Sequence, residues 1–249
     1  MNGDDDGFNP KSTSSVPNKK PASGKKRVAL TFDDGPHNVR TEKIVDELAK
    51  YGFNATFFVV GNRVASVGDR ELQYNGAKAL SYAVEKGNEI GIHGYTHGVY
   101  YNKCEESVYK SELADTESAI KSVVKNYKVR LMRPIGGAIT EERISSCPYS
   151  VIMWSVDSED WKYRDASDEA TAKQNIDTIV NNVMSNVGEG DIILMHDLYE
   201  NTYEATKIIL KKLYEQGYDV VTVSELLGNP QAGRRYSQLQ TASKESEEE

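Results

Sequence analysis

Two short stretches of the sequence carry side chains that could bind a metal ion and move protons. The stretch LTFDDGPH, residues 30–37, places Asp33 beside Asp34, and the stretch HGYTH places His93 four residues before His97. Two neutral imidazoles and one carboxylate form a three-ligand set for a divalent ion such as zinc and leave positions open for water and substrate. One acid of the pair could then bind the ion while its neighbour accepts a proton from water.

Further side chains could complete such a site, although several of the candidate residues have an ordinary alternative. His196 could donate a proton to a leaving group if an acid such as Asp160 holds its pKa near or above neutral. Alternatively, the acid pair could form a turn, Arg133 could pair with a surface acid, and Trp154 and Trp161 could be packing residues. A helical zinc-protease site is disfavoured, because the glutamate of the HExxH pattern is missing.

Short β-rich runs alternate with segments of helical period along most of the chain. Ile44, Val45 and Leu48, for example, share one face of a predicted helix that Gly52 ends. Such β–α repetition predicts a mainly parallel sheet with helices outside it, and seven units without a strong internal linker favour one barrel-like α/β domain. The predicted strands are 27–32, 55–60, 89–93, 129–133, 150–156, 191–195 and 219–223.

The candidate residues all lie where predicted strands end. In α/β barrels the loops at the carboxyl ends of the strands build the active site. Three of the four histidines, His93, His97 and His196, lie at such ends, whereas His37 is expected to be a solvated loop residue. If the ordinary alternatives were all true, these unusual side chains would have gathered at one edge of one sheet without a functional reason. Their grouping therefore favours a shared chemical role.

Composition narrows the class of protein and its partners. The chain has 249 residues and a net charge of −8, without a basic stripe, which argues against nucleic acid as a partner. It also lacks an apolar run of about 18 residues, so we expect no membrane contact within it. Residues 1–25 are predicted to be a flexible polar leader, similar to a linker from which an upstream signal or anchor has been removed. Residues 229–249 are predicted to be a polar tail, and Cys104 and Cys147 to be unpaired thiols.

Five ordered blocks resemble the motifs of the polysaccharide deacetylases, the NodB-homology proteins of carbohydrate esterase family 4. The blocks are TFDDGP, the HxxxH pair, RP followed by glycine, WSVDSEDW and LMHD. The resemblance covers roughly residues 26–228 and implies a distorted (β/α)7 barrel. It also implies that Asp34, His93 and His97 bind a divalent metal, most simply Zn²⁺ with Co²⁺ as an option, that Asp33 is the general base and that Arg133 holds Asp33 in place.

The resemblance also implies roles for five residues from the later blocks. The main-chain N–H of Gly136 would help to stabilise the oxyanion. Trp161 and Leu194 would wall the pocket for the acetyl methyl group. Asp160 would orient His196 and keep it charged, and His196 would be the catalytic acid.

Two positions depart from the pattern of the family. Gly94 stands where a serine or threonine usually braces the metal loop, which predicts a looser loop or weaker metal binding. RPIGG stands where RPPYG is usual, so Ile135 and Gly136 keep the backbone donor and lose a ring that lines the groove. We expect the loss of this ring to change which substrates bind more than it changes the hydrolytic reaction itself.

The expected function is metal-dependent removal of N-acetyl groups from N-acetylglucosamine of bacterial peptidoglycan, by a monomer outside the cell or at its surface. Within the enzyme class, the alternatives are an esterase acting on acetyl xylan and a deacetylase acting on chitin oligosaccharides. A non-catalytic carbohydrate-binding homologue is the alternative from another class.

Overall fold

The computed structural model describes residues 26–64 and 76–239. Within these residues the strands are β1 Lys26–Asp33, β2 Thr56–Val59, β3 Glu89–Ile92, β4 Leu131–Met132, β5 Ser150–Ile152, β6 Val156–Asp157, β7 Ile192–His196, β8 Tyr218–Val221 and β9 Arg235–Tyr236. The helices are α1 Arg40–Lys50, α2 Gly61–Val64, α3 Ala77–Glu85, α4 Glu106–Val123, α5 Glu141–Ser146, α6 Glu169–Met184, α7 Glu200–Glu215 and α8 Val223–Leu227. The predicted leader and residues 240–249 of the predicted tail lie outside the described residues.

The strands form one parallel sheet that curls into an incompletely closed barrel. Its order is β6-β7-β1-β2-β3-β4-β5-β9, with β8 paired to the first half of β1. Strands β5 and β6 are neighbours in sequence but lie near opposite ends of this order, so the sheet has to curve round to join them. The helices on its outside complete an α/β barrel, and the predicted fold class is confirmed.

The predicted strand 150–156 is wrong, because the chain changes partners in its middle. Met153 N donates to Tyr236 O of β9 at 2.7 Å, whereas Ser155 N donates to Ile192 O of β7 at 3.0 Å. The two halves therefore belong to different edges of the sheet, and the residues between β5 and β6 span the opening of the barrel. Both halves are apolar enough to read as one run, so periodicity alone does not locate the break.

Two apolar layers lie on the two faces of the sheet. Along β1, Val28, Leu30 and Phe32 belong to the large cluster between the sheet and the helices, whereas Ala29 belongs to a smaller cluster inside the barrel. Successive side chains of a strand point to opposite faces, so Asp33 shares the inner face with Ala29. The site residues are thus held by strands whose outer face is firmly anchored in the core.

The helices follow the predicted periodicity. Ile44, Val45 and Leu48 are buried on α1, and Gly52 just beyond it has φ +69°, a left-handed conformation that suits glycine. None of the helices among residues 26–64 and 76–239 is long and apolar enough to span a membrane. Cys104 and Cys147 are both free thiols, as predicted.

The ordered sheet extends beyond residue 228, where the predicted domain boundary lies. Strand β9 pairs in parallel with β5, with Val151 opposite Arg235 and Ile152 opposite Tyr236. Its side chains are polar or half-exposed, and main-chain hydrogen bonds to the sheet edge hold it there. Residues 229–239 are mostly exposed, as expected of a polar tail, but the pairing of β9 with the sheet was not predicted, because sequence polarity does not reveal edge pairing.

Candidate active site

Strand register brings the predicted site residues together at the carboxyl end of the barrel. Strands β1 and β7 pair so that Asp33 lies opposite His196. Strands β3 and β4 pair at Ile92 and Met132, so His93 and Arg133, one residue further along, emerge side by side. Asp33, His93, Arg133 and His196 all occupy inward-facing positions, because side chains alternate along each strand.

Asp34, His93 and His97 form a compact group of possible metal ligands. One ligand atom from each lies within 4.8 Å of the others. Asp34 Oδ1 is 2.8 Å from His97 Nε2 and 3.4 Å from His93 Nε2. Asp34 and His97 have positive φ angles of 73° and 59°, which non-glycine residues rarely adopt. Such local strain at two adjacent ligands is typical of a functional site.

The tautomer of His93 is set by the main chain. His93 Nδ1 lies 2.8 Å from the carbonyl oxygen of Arg133, an atom that can only accept a hydrogen bond. Nδ1 therefore carries a proton, and Nε2 is the ring nitrogen that faces Asp34. A hydrogen bond from the remote ring nitrogen to a carbonyl is the usual way in which proteins orient a histidine that binds a metal.

The donor set fits a divalent cation. Asp34 Oδ1 is buried, and although the two imidazole Nε2 atoms lie 2.8 and 3.4 Å from it, neither they nor any other group of the described residues makes a hydrogen bond of good geometry to it. A buried carboxylate oxygen without a donor is costly, and a cation between it and the two imidazoles would offset that cost. Two nitrogens and one oxygen are typical of zinc and also accommodate other divalent ions.

Asp33 is held by Arg133 in a buried ion pair. Arg133 Nη1 donates to Asp33 Oδ1 at 2.8 Å and to Thr31 Oγ1 at 2.7 Å. The rest of the guanidinium donates to the main-chain oxygens of Ile152 at 3.1 Å and Met153 at 2.9 Å. The second oxygen of Asp33 lies 3.7 Å from His93 Nε2, so it faces the possible metal ligands. One oxygen is thus fixed by Arg133, and the other faces the group Asp34, His93 and His97.

Aromatic rings on the inner face support Arg133. Its guanidinium carbon lies 4.3 Å from the Phe58 ring centroid and 5.6 Å from that of Trp154. Gly91 makes room for Phe58, since a Cβ at that position would lie 2.6 Å from the ring. Trp154 is therefore a packing residue, as the ordinary alternative in the sequence analysis had it, and its packing partner is Arg133.

Asp160 holds His196 at two points. Asp160 Oδ1 lies 2.7 Å from His196 Nδ1, and Oδ2 accepts from the main-chain N–H of His196 at 2.8 Å. Thr202 Oγ1 also donates to Oδ2 at 2.7 Å. Burial lowers the pKa of His196, but the charge of Asp160 and its hydrogen bond outweigh burial and raise the pKa to about 9. His196 is therefore a cation at neutral pH and can donate a proton.

The three predicted substrate-binding residues lie in different environments. Gly136 is exposed in the turn Ile135–Gly137 with φ +58°, just after β4. Leu194 is buried on β7, on the same inner face as Ile192. Trp161 follows Asp160 and is 49% exposed, so much of its ring is free to contact a ligand. Their roles at an acetyl pocket stay predictions.

Sequence reasoning missed Glu112 of α4, which braces the loop between His93 and His97, the two possible metal ligands. Glu112 Oε2 accepts from the main-chain N–H groups of Tyr95 at 2.6 Å and Thr96 at 3.1 Å, and Oε1 accepts from Thr96 Oγ1 at 2.8 Å. A Cβ at Gly94 would lie 3.1 Å from Glu112 Oε2. The loop with Gly94 is thus tied to α4. The sequence feature that could have revealed this role is helical spacing, which places the acid Glu112 on the same face of α4 as Tyr109, Leu113 and Thr116.

Asp197 and His37 were also missed as supports of the loop after β1. Asp197 is fully buried and accepts a hydrogen bond from Thr41, and a Cβ at Gly35 would overlap its carboxylate. His37 is 8% exposed, and its Nδ1 faces the main-chain N–H groups of Val39 and Arg40 at 3.2 Å. The expectation of a solvated His37 is wrong, because the ring caps the start of α1.

Comparison with known proteins places this arrangement in a family. The family described as "Polysaccharide deacetylase" matches residues 20–149. The peptidoglycan-N-acetylmuramic acid deacetylase PdaC of Bacillus subtilis is 38% identical over 201 residues, 81% of this chain and 38% of that protein. The peptidoglycan-N-acetylglucosamine deacetylase PgdA of Listeria monocytogenes is 33% identical over 222 residues, 89% of this chain and 43% of that protein. The chain thus spans about two fifths of these relatives' lengths.

Solved structures share the fold over most of the chain. The structure of PdaC from Bacillus subtilis matches with a TM-score of 0.71 and 37% identity, covering 82% of this chain and 90% of that one. A CE4 family pseudoenzyme from Bacillus anthracis matches with a TM-score of 0.68 and 28% identity, covering 86% of this chain and 68% of that one. The family match, the sequence relatives and the fold agree, and the chain belongs to the polysaccharide deacetylase family.

Proposed function

We propose that the chain is a zinc-dependent deacetylase that hydrolyses the N-acetyl group of N-acetylglucosamine residues in bacterial peptidoglycan. One observation carries the proposal: a possible general base, a three-ligand metal group and a charged histidine lie together at the carboxyl end of one barrel. A base, a metal ion and an acid together are sufficient for the hydrolysis of an amide by direct attack of water.

Different residues of the site have different roles in the reaction. A divalent ion held by Asp34, His93 and His97 would supply positive charge to activate water and polarise the acetyl carbonyl. The free oxygen of Asp33 accepts a proton from water as the water oxygen attacks the carbonyl carbon. The main-chain N–H of Gly136 donates to the oxyanion.

Breakdown of the tetrahedral intermediate needs an acid. His196, held by Asp160, donates its proton to the amide nitrogen as the carbon–nitrogen bond breaks. Acetate and a free amino sugar leave, and one water is consumed. Because Asp160 is buried and fully hydrogen-bonded, it orients His196 and keeps it charged without itself meeting the substrate.

A non-catalytic carbohydrate-binding homologue is the alternative from a different class. The similarity to a pseudoenzyme shows that the fold alone does not decide between the two. The complete set of proton-transfer and metal-ligand side chains in this chain favours turnover.

The substrate class rests on the relatives, whose names specify peptidoglycan deacetylation at N-acetylglucosamine or N-acetylmuramic acid. Peptidoglycan lies outside the bacterial membrane, so we place the protein at the cell surface or beyond it. We propose that it acts as a monomer, since the site residues all come from one chain.

Acetate release from peptidoglycan, acetyl xylan and chitin oligosaccharides, measured side by side with zinc present, tests the proposal. Mass spectrometry of the released muropeptides would show which amino sugar has lost its acetyl group. Peptidoglycan is expected to be the best substrate, with the loss at N-acetylglucosamine. In Asp33→Asn we expect kcat to fall about 10²- to 10⁴-fold, since proton transfer contributes that much.

Circular dichroism controls for folding of that variant. Wild-type rates in Asp33→Asn would refute the assignment of the base. Faster release from acetyl xylan would instead select the esterase alternative. Glycan binding without acetate release would select the non-catalytic homologue.

A further inference from the structure

Two of the exposed aromatic side chains lie at the mouth of the barrel. Among the described residues, the aromatic side chains that are large and strongly exposed are Tyr100, Trp161 and Tyr214, which are 53%, 49% and 54% exposed. Tyr214 lies on α7 against Tyr51, with ring centroids 5.4 Å apart. Trp161 follows the β6 strand, whereas Tyr100 lies in the loop between β3 and α4. The two strands lie on opposite sides of β1 in the order of the sheet.

Tyr100 lies directly beside Gly136. A Cβ built on Gly136 would lie 3.4 Å from Tyr100 Cε1, and apart from its two chain neighbours no other described residue has an atom within 4 Å of that position. The space next to the turn at Gly136 is therefore bordered by a tyrosine ring from another loop. Residue 136 has no side chain that could cover the ring, and Tyr100 is exposed to solvent.

The main chain at Tyr100 and at the residue after it is firmly held. Its neighbour Tyr101 is fully buried and packs edge-to-face on Tyr109, with centroids 5.0 Å apart. Arg143 donates to the carbonyl oxygen of Tyr101, and Lys103 N donates to that of Tyr100 at 3.1 Å. An exposed ring on a fixed main chain loses little conformational entropy on binding.

We propose that Tyr100 is a sugar-stacking platform that binds a ring of the polysaccharide next to the acetylated residue. Sugar rings present apolar C–H faces, and an exposed aromatic ring beside a catalytic site is suited to cover such a face. Tyr100 thereby supplies an aromatic wall on the β3–β4 side, while Trp161 lies on the β6–β7 side. This inference rests on the proposed function, since it takes a polysaccharide as the ligand of the site.

The test compares Tyr100→Ala, Tyr100→Phe and Tyr214→Ala with the wild type on the N-acetylglucosamine pentamer. In Tyr100→Ala we expect KM for acetate release to rise about tenfold, as for loss of a binding hot spot, with a much smaller change in kcat. Tyr100→Phe keeps the ring and should restore KM. Tyr214→Ala removes an equally exposed tyrosine away from the site and should leave KM unchanged. Thermal unfolding of each variant shows whether the fold is retained.

Calorimetric Kd values for the pentamer separate this inference from the proposed function. If the wild type binds the pentamer but releases no acetate from it or from peptidoglycan, the proposed activity fails, and a tenfold weaker Kd in Tyr100→Ala still supports the platform. Equal KM and Kd values in Tyr100→Ala and the wild type would overturn the platform and leave the proposed activity standing. A loss that Tyr100→Phe does not restore would also overturn it, because stacking requires only the ring.

Discussion

His196 and Asp160 are joined through both oxygens of one carboxylate. The side chain of His196 pairs with Oδ1 at 2.7 Å, and its main-chain N–H donates to Oδ2 at 2.8 Å. The first contact sets the charge of the imidazole, and the second fixes the end of β7 against the turn Asp160–Lys162. Since Asp160 is fully buried, the strength of this pair is little reduced by solvent.

Replacing Asp160 with Asn should shift the alkaline limb of the kcat profile to lower pH. Asp160 holds the pKa of His196 at about 9, and the acid works only when protonated, so wild-type kcat should fall as pH rises through about 9. Without the carboxylate, that pKa should fall to its ordinary value of about 6.5 or below. At pH 8 the variant should therefore have lost activity that the wild type keeps.

Profiles of kcat from pH 5 to 10 check this shift. Asp165→Asn is the matched control, because Asp165 is an exposed acid in the following loop. An alkaline limb that stays in place in Asp160→Asn would show that Asp160 does not set the charge of the catalytic acid.

The ion pair between Arg133 and Asp33 should show strong energetic coupling. Arg133→Met leaves Asp33 as a buried charge without a partner, which typically costs about 3–5 kcal/mol of unfolding free energy. Adding Asp33→Asn to that variant removes the charge, so the double variant should lose less than the sum of the single losses. Urea unfolding of the chelator-treated protein measures the cycle.

Arg130→Met provides the control for this cycle. Arg130 is exposed just before β4, so its loss should change the unfolding free energy by no more than about 0.5 kcal/mol. Strict additivity of Arg133→Met and Asp33→Asn would mean that the pair is not coupled as its geometry indicates.

Glu112→Gln should weaken zinc binding by loosening the loop that carries His97. An amide offers one oxygen in place of two, so it cannot accept from Tyr95, Thr96 N and Thr96 Oγ1 together. Loss of such a support typically costs about 10- to 100-fold in metal affinity. Zinc titration by calorimetry measures the change, with Asp115→Asn on the exposed side of α4 as the control. If Glu112→Gln binds zinc as tightly as the wild type, the hydrogen bonds of Glu112 are not needed to order the loop that contains Gly94.

The sequence was informative about the site because its residues follow buried strands directly. Apolar runs ending at Asp33, His93, Arg133 and His196 locate both the strand ends and the polar side chains on them. Parallel pairing then places the carboxyl ends of these strands at one edge of the sheet, independently of the conformations of the loops. The barrel and the grouping of these side chains could accordingly be predicted without coordinates.

Features that depend on contacts between distant segments could not be predicted in the same way. The division of 150–156 into β5 and β6 depends on which edge each main-chain N–H reaches, and β9 is held by main-chain pairing in a polar segment. Glu112 acts through a loop 16 residues before it. Periodicity reports which side of a helix is buried, but it does not report what a buried acid contacts.

Reversible loss of activity on metal removal tests the central claim most directly. Acetate release from peptidoglycan would be measured before chelation, after chelation and dialysis, and after addition of one equivalent of zinc. The account predicts that chelation abolishes release, that one zinc per chain restores it, and that His97→Ala does not recover at that concentration. Full activity of the metal-free protein would contradict the account.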